Sequence, residues 1–370
     1  MGIGRTTATE AAVTAVPLGD PNGLYMWQPT IVNRRGDVIG SSGDSTPVVW
    51  SNGRLSEPLL PAAGSAYLEW INDAGQFVGG FRGVPDDKQT AIAWPEGIGG
   101  EGVVIEPRAE FRDSRAYLIN NNGQVVYDAI GVDDYTRRCF VYDLNDGSRT
   151  EILPPAGHPG DVYPRGFNDA GQFVSSAYAL GARTYVFFWE DGVATDLTQF
   201  GSGTVYHLNQ SGQVLGSYAP PEADFYDRAF LWHDGALTDL GALGTFDVEI
   251  TFTRQSLNDA GETIGTSDDG VRRIPFHHTG GAMTELPVPA GLEADPLGIA
   301  HTGDIAGRCG GPQDIVTSAC LWRGGQFLDL GTPRGYNDAQ GRLATEQGDV
   351  VAFASSARDN PTMSFLLTPA

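Results

Sequence analysis

The stretch Ile71 to Gly80, INDAGQFVGG, sets an apolar residue and an Asn ahead of two variable residues, a Gly and a run of apolar and small residues. Asn bonds back to its own backbone and tolerates left-handed geometry, and Gly takes positive φ without strain. N-x-x-G between apolar runs therefore reads as a hairpin turn. The phrase returns as INNNGQVVYD from Ile119, FNDAGQFVSS from Phe167, LNQSGQVLGS from Leu208 and LNDAGETIGT from Leu257. Looser copies are VNRRGDVIGS from Val32, IAHTGDIAGR from Ile299 and YNDAQGRLAT from Tyr336. The second residue of each copy gives anchors at Asn33, Asn72, Asn120, Asn168, Asn209, Asn258, Ala300 and Asn337, spaced 37 to 49 residues apart. Eight copies over 370 residues allot about 46 to each, the length of a four-stranded propeller blade.

Two further phrases follow each anchor. One is PVVWSNG, AIAWPEG, VFFWEDG, AFLWHDG or ACLWRGG, with Tyr142 and His278 in the Trp slot of two other copies. The next is RTEILPP, VATDLT, ALTDLG, AMTELPVP or QFLDLG. Each copy thus reads as four strands. Strand A precedes the anchor, B follows the turn, C carries the Trp and D carries the acid–Leu pair. The last copy ends in SFLLTPA without a fourth strand, and VTAVPLG, Val13 to Gly19, fits strand D. Pairing the two completes the last blade and removes a free edge. The expected fold is all-β: a closed β-propeller of eight four-stranded blades in a single domain over 1–370. Seven blades with one degraded repeat is the alternative.

The phrases INDAGQFVGG, AFLWHDGALTDLG and LNDAGETIG resemble the bacterial HAF-type extracellular-repeat family. The resemblance covers nearly the whole chain and implies a propeller. It implies no activity, because no shared catalytic motif comes with it. The His-Ala-Phe triplet itself is replaced here by RAFLW and SACLW.

Composition narrows the function. The net charge of −23 repels phosphate backbones and anionic bilayers, so nucleic acid and membrane are excluded as expected partners. Lys88 is the only lysine, so Schiff-base or phosphate-cradling chemistry has one candidate, and it sits in a loop. Three cysteines, Cys139, Cys309 and Cys320, form no C-x-x-C, and neither a disulfide framework nor structural zinc is expected. Met1 to Glu10 lacks a basic region followed by an apolar stretch, so the expected location is cytoplasmic, or secreted if a signal has been removed. Gly97, Gly99 and Gly102 match G-x-G-x-x-G, but a strand follows them and no dinucleotide site is expected.

Short uniform A–B and C–D turns mark one face of a propeller, and long varied B–C and D–A loops mark the other. Function is expected near the latter, at the channel mouth. The residues three before each anchor are Thr30, Glu69, Tyr117, Arg165, Tyr206, Gln255, Leu297 and Arg334. Five before stand Gln28, Tyr67, Arg115, Tyr163, Thr204, Thr253, Asp295 and Thr332. Strict alternation would put both columns on one side of strand A. Their variety points to one asymmetric polar, aromatic-rimmed pocket for a small organic molecule or a sugar. Glu69, His207, Tyr206 and Arg165 are the candidate catalytic groups. Tyr117, Arg115, Tyr163, Gln255, Arg334 and Trp70 are the candidate substrate-binding ones. The same columns also read as the polar lining of a water-filled channel, with Arg–Glu pairs bridging blades.

His277 and His278 are adjacent on a strand and face opposite ways, so they do not form a joint metal site. His158 lies in a D–A loop, and His233 and His301 in short turns expected to be solvated. Acidic pairs at Asp86–Asp87, Asp133–Asp134 and Asp268–Asp269 make calcium conceivable, but no loop has complete calcium spacing, and no cofactor or metal is expected. The leading functional expectation is cofactor-independent acid–base chemistry of lyase, cyclase or isomerase type. The alternative is a non-catalytic carbohydrate- or protein-binding propeller, a lectin or a scaffold.

Overall fold

A computed structural model describes residues 12–20, 22–84, 88–106, 109–157, 161–178, 185–197, 202–219, 228–244, 248–250, 255–312, 316–356 and 362–370. These residues form eight four-stranded sheets and no helix. The fold is an eight-bladed β-propeller. The A strands are Met26–Val32, Gly64–Ile71, Phe111–Ile119, Asp161–Phe167, Ser202–Leu208, Val248–Ile250, Glu293–Ile299 and Asp338–Ala344. In the eighth blade the fourth strand is Val13–Pro17, antiparallel to Met363–Pro369 from Val13 against Pro369 to Pro17 against Phe365. The chain's own N-terminal strand thus covers the edge that Met363–Pro369 would otherwise expose.

The chain divides into two compact units. One is Thr30–Gly241, and the other is Met1–Pro29 with Ala242–Ala370. In both units the anchor residue joins neighbouring blades. In the first unit, Asn33 Nδ2 donates to the Asn72 carbonyl at 2.9 Å, Asn72 to Asn120 at 2.8 Å, Asn120 to Asn168 at 3.1 Å and Asn168 to Asn209 at 3.1 Å. In the second, Asn258 Nδ2 donates to the Ala300 carbonyl at 3.2 Å. The same side chain closes its own turn. Asn120 Oδ1 accepts the Gln124 N–H at 2.9 Å, while the Gly123 N–H donates to the Asn120 carbonyl at 3.2 Å. Gly123 sits at φ 77°, where a Cβ is strained.

The eighth anchor is not Asn337. The turn that closes in the same way is Thr345 to Gly348, where the Gly348 N–H donates to the Thr345 carbonyl at 3.1 Å and the Thr345 N–H to Asp349 at 3.0 Å. Asn337 lies just ahead of strand Asp338–Ala344, and its N–H meets the Ser355 carbonyl. The sequence YNDAQG imitates the phrase, whereas TEQG carries its geometry. The two columns in this blade are therefore Arg342 and Gln340 in place of Arg334 and Thr332.

The Trp slots fill the space between sheets. Trp94 stacks on Phe77 at 4.9 Å, and its indole N–H donates to the Leu59 carbonyl at 2.8 Å. Trp322 repeats the bond to the Pro287 carbonyl at 2.8 Å. A large ring with one satisfied polar handle can be buried fully in this way. His278 occupies the slot in its blade and is buried. Cys139, Cys309 and Cys320 are free buried thiols, and burial pushes the Cys139 and Cys320 thiols up, away from thiolate.

Asn120→Ala removes four hydrogen bonds. Unfolding in denaturant should show a loss of about 2–4 kcal/mol. A loss below about 0.5 kcal/mol would mean the anchors do not hold the blades.

Candidate functional site

Six of the eight A strands depart from regular pairing at the column three before the anchor, and Phe111–Ile119 has a second shift between Phe111 and Asp113. The register shifts between Leu68 and Trp70, Ala116 and Leu118, Pro164 and Gly166, Val205 and His207, Pro296 and Gly298, and Gly341 and Leu343. The residues stepped over are Glu69, Tyr117, Arg165, Tyr206, Leu297 and Arg342. These are β-bulges, which re-aim a side chain and break alternation. Strict alternation along strand A, expected from the sequence, therefore fails at the functional column.

In three blades the bulge residue meets the residue eleven positions later, on strand B. Tyr117 donates its hydroxyl to Asp128 Oδ2 at 2.8 Å, Tyr206 and Ser217 share a hydrogen bond of 2.8 Å, and Arg342 lies 5.7 Å from the Phe353 ring centroid. In the second blade that partner position is Gly80. A Cβ there would meet the Tyr67 ring at 2.3 Å, so the glycine makes room for the phenol. Glu69 turns instead to the next blade and is ion-paired with Arg115.

From this pair a belt runs through three blades of the Thr30–Gly241 unit. The Arg115 guanidinium lies between two rings, 5.0 Å from the Tyr67 centroid and 4.8 Å from Tyr117. Tyr67 accepts a hydrogen bond from Gln89. Asp128, which takes the Tyr117 hydroxyl, is also ion-paired with Arg137. Arg137 in turn lies 5.4 Å from the Tyr163 ring centroid, with Asp161 at 3.9 Å from its Nε. Acid, guanidinium and phenol alternate so that each charge has a partner.

This arrangement holds protons rather than moving them. Burial, reinforced by the Glu69 and Asp128 carboxylates, pushes the Tyr67 phenol up to about 12. Burial and the Asp128 carboxylate push Tyr117 up as well. Burial pushes the Asp128 carboxyl up, against the opposing pull of Arg137 and of the Tyr117 hydroxyl.

The other sequence candidates are dispersed. Trp70 is half-buried and packs against three core clusters between blades, so its ring serves the interior. His207 is half-buried, paired with Leu215 along the strand. Gln255 is spent on strand pairing: it receives the Ala344 N–H at 3.1 Å and donates to the Ala344 carbonyl at 3.2 Å. Arg334 is exposed in a turn ahead of the eighth blade, outside the column. Arg165 is exposed on its bulge and makes no ion pair among the described residues. His301 is not simply solvated; its Nδ1 accepts the Asp259 N–H at 3.2 Å and so joins two blades. The Asp134 and Asp269 carboxylates cap their own turns, on Thr136 and on Val271 and Arg272. His158, Asp86–Asp87, Thr253 and 220–227 lie outside the described residues.

Asp128 and Arg137 were not among the sequence candidates, yet a signal exists. Eight past the anchors stand Ser41, Gly80, Asp128, Ser176, Ser217, Thr266, Arg308 and, with the corrected anchor, Phe353. An Asp where five other copies carry Ser, Thr or Gly marks the belt at Asp128.

No protein-family model matches the chain, and no curated protein matches it. Solved structures do. A structure of two prolyl endopeptidases is 11% identical, with a TM-score of 0.52, over 82% of this chain and 49% of that chain. The β-propeller domain of the Trilobed protease from Pyrococcus furiosus is 9% identical, with a TM-score of 0.47, over 94% and 95%. An acylaminoacyl peptidase from Pyrococcus horikoshii is 13% identical, with a TM-score of 0.48, over 93% and 51%. This chain spans about half the length of the prolyl endopeptidase and acylaminoacyl peptidase chains. The likeness to the prolyl endopeptidase structure, at 11% identity, is one of fold alone. The expectation of a cofactor-independent lyase, cyclase or isomerase is corrected: the similar structure with a TM-score above 0.5 is of prolyl endopeptidases, and the Glu69 carboxylate is locked to Arg115.

Tyr67 and Tyr117 are neutral below pH about 10 in folded and unfolded chain alike. Above it the unfolded chain loses these protons first, whereas folded Tyr67 keeps its proton to about 12. Stability is therefore full below pH about 10 and falls as pH rises to about 12. Denaturant midpoints measured across this range should fall less steeply for the Tyr67→Phe, Tyr117→Phe double variant. Identical slopes would show that these phenols are not the groups held.

Proposed function

We propose that this propeller is a non-catalytic module that binds peptide, associated with a peptidase. The observation that carries the reading is the open pair in the fourth blade. Arg165 sits on its bulge with no ion pair among the described residues, and the Ser176 hydroxyl, eleven residues on, is buried and makes no hydrogen bond. In the third and fifth blades the corresponding pairs, Tyr117–Asp128 and Tyr206–Ser217, are closed. A buried hydroxyl without a partner and a guanidinium without a counter-ion together suit a ligand that brings an acceptor and a negative charge.

A peptide carboxyl end or acidic side chain meets that description. Tyr163, two residues before Arg165 on the same strand and stacked with Arg137, offers a ring fixed in place. Rigid aromatic faces bind a chain with little entropy loss. The belt keeps its own charges neutralised in pairs, which favours binding over proton transfer. The fold likeness adds context of the same kind. In the two prolyl endopeptidases inter-domain dynamics has a role in catalysis and specificity, and this chain spans 49% of that length.

The test is fluorescence anisotropy with a fluorescein-labelled Ala–Gly–Pro octapeptide ending in a free carboxylate, against its C-terminal amide. Saturable binding is expected, weakened about tenfold by amidation or by Arg165→Gln, the worth of one charge-assisted contact. Mass spectrometry should show the peptide intact. Absence of saturable binding, or equal binding of acid and amide by wild type and variant, would overturn the reading.

A further inference from the structure

The other unit holds a cavity of about 320 Å³ on a different set of residues. Its wall includes Arg273, Glu293, Asp295, Arg308, Thr317 and Gln340, contributed by the sixth, seventh and eighth blades. Four of these are committed to protein partners, Thr317 through its hydroxyl on Asp338 Oδ1 at 2.9 Å. Asp295 Oδ2 takes both Nε and Nη2 of Arg308, at 2.9 and 2.8 Å, so these two charges cancel. Arg273 donates to Thr266 Oγ1 at 2.9 Å.

Glu293 is the charge left over in the wall, and Arg342 stands beside it on the strand that carries Gln340. Glu293 begins strand Glu293–Ile299, lines the cavity and makes no ion pair among the described residues. Arg342 is the bulge residue two positions past Gln340 on strand Asp338–Ala344, and it too makes no ion pair among them. Its guanidinium rests 5.7 Å from the Phe353 ring centroid. Burial and the nearby Arg308 guanidinium both disfavour its charge, with only Asp338 opposing them. Two guanidiniums repel each other here while the chain has supplied a carboxylate for one. A cavity of this size takes a molecule of roughly ten to fifteen heavy atoms.

We infer that this cavity is a binding site for an amino-acid-like zwitterion, its carboxylate on Arg342 and Arg308 and its ammonium on Glu293. Gln340, and the Thr317 hydroxyl oxygen as an acceptor, give the wall hydrogen-bonding capacity, which suits a polar side chain over an apolar one. The site lies on other residues than Arg165 and Ser176, and stands or falls apart from the peptide reading.

Calorimetric titration with three probes separates the two ends: L-glutamine, L-glutaminamide and N-acetyl-L-glutamine. L-Glutamine should bind saturably, and each blocked form about tenfold more weakly. Arg342→Gln should weaken L-glutamine and the N-acetyl form while leaving the amide as it was. Glu293→Gln should weaken L-glutamine and the amide while leaving the N-acetyl form as it was. Matching thermal unfolding midpoints would confirm that the variants fold. No saturable heat with L-glutamine, or binding unchanged in both variants, would overturn the assignment.

Discussion

One side-chain amide holds the architecture together. Asn120 uses all of its hydrogen-bonding capacity. Its oxygen accepts N–H groups of its own turn, and its nitrogen bonds both a side chain four residues on and the anchor carbonyl of the next blade. Asp offers no such donor, and Gln carries its amide one carbon too far from its own turn. A second row of bonds reinforces the first. The residue after each anchor receives, on its N–H, the side chain of the corresponding residue one blade on: Asp73 to Arg34, Asn121 to Asp73, Asp169 to Asn121, Gln210 to Asp169. Where the anchor is Ala300 the amide is lost, and the second row persists through the His301 N–H on Glu346 Oε1 at 2.9 Å. Thr345 keeps part of the function, its hydroxyl accepting the Asp349 N–H at 3.0 Å.

This constraint explains what the sequence could disclose. A bond that needs one residue type at a fixed place in every blade writes itself into the chain as a repeat, and the blades are legible from it. The exception follows from the same logic. In the last blade the turn is made by Thr345 with Gly348, a chemically related but different solution, and the nearby Asn337 carries the letters without the geometry. The bulges had no such signature. A bulge depends on how two strands pair, and the residues stepped over range from Glu69 to Leu297 without a common type. The varied column could be seen, but the reason for its variety could not: it is the position freed from the pleat.

The belt was half legible for a related reason. Glu69, Arg115, Tyr117 and Tyr163 lie on A strands, where comparing copies exposes them. Asp128 and Arg137, which neutralise and fix the belt, lie on strands B and C. Asp128 departs from the Ser, Thr or Gly of five other copies and was available to the same comparison, whereas Arg137 stands where other copies carry polar residues such as Gln89, Arg273 and Thr317. Gly80 is the complementary case. Its lack of a side chain, unremarkable in sequence, is what lets the Tyr67 ring lie against the Arg115 guanidinium.

A chain with a net charge of −23 has carboxylates to spare, and its arginines are largely taken up by them: Arg115 by Glu69, Arg137 by Asp128, Arg149 by Glu106, Arg308 by Asp295. Against that surplus, a guanidinium left without a carboxylate is the less expected outcome. Arg165 and Arg342 are two such residues, one in each unit, and both sit on bulges. The bulge offers the reason. It turns a side chain out of the pleated row in which cross-strand partners meet, and so separates it from the acids that pair with its neighbours. The device that keeps these charges available is therefore built into the backbone of strand A and repeats from blade to blade. Which residue stands on it is what differs, and in this molecule recognition is expected to follow that difference.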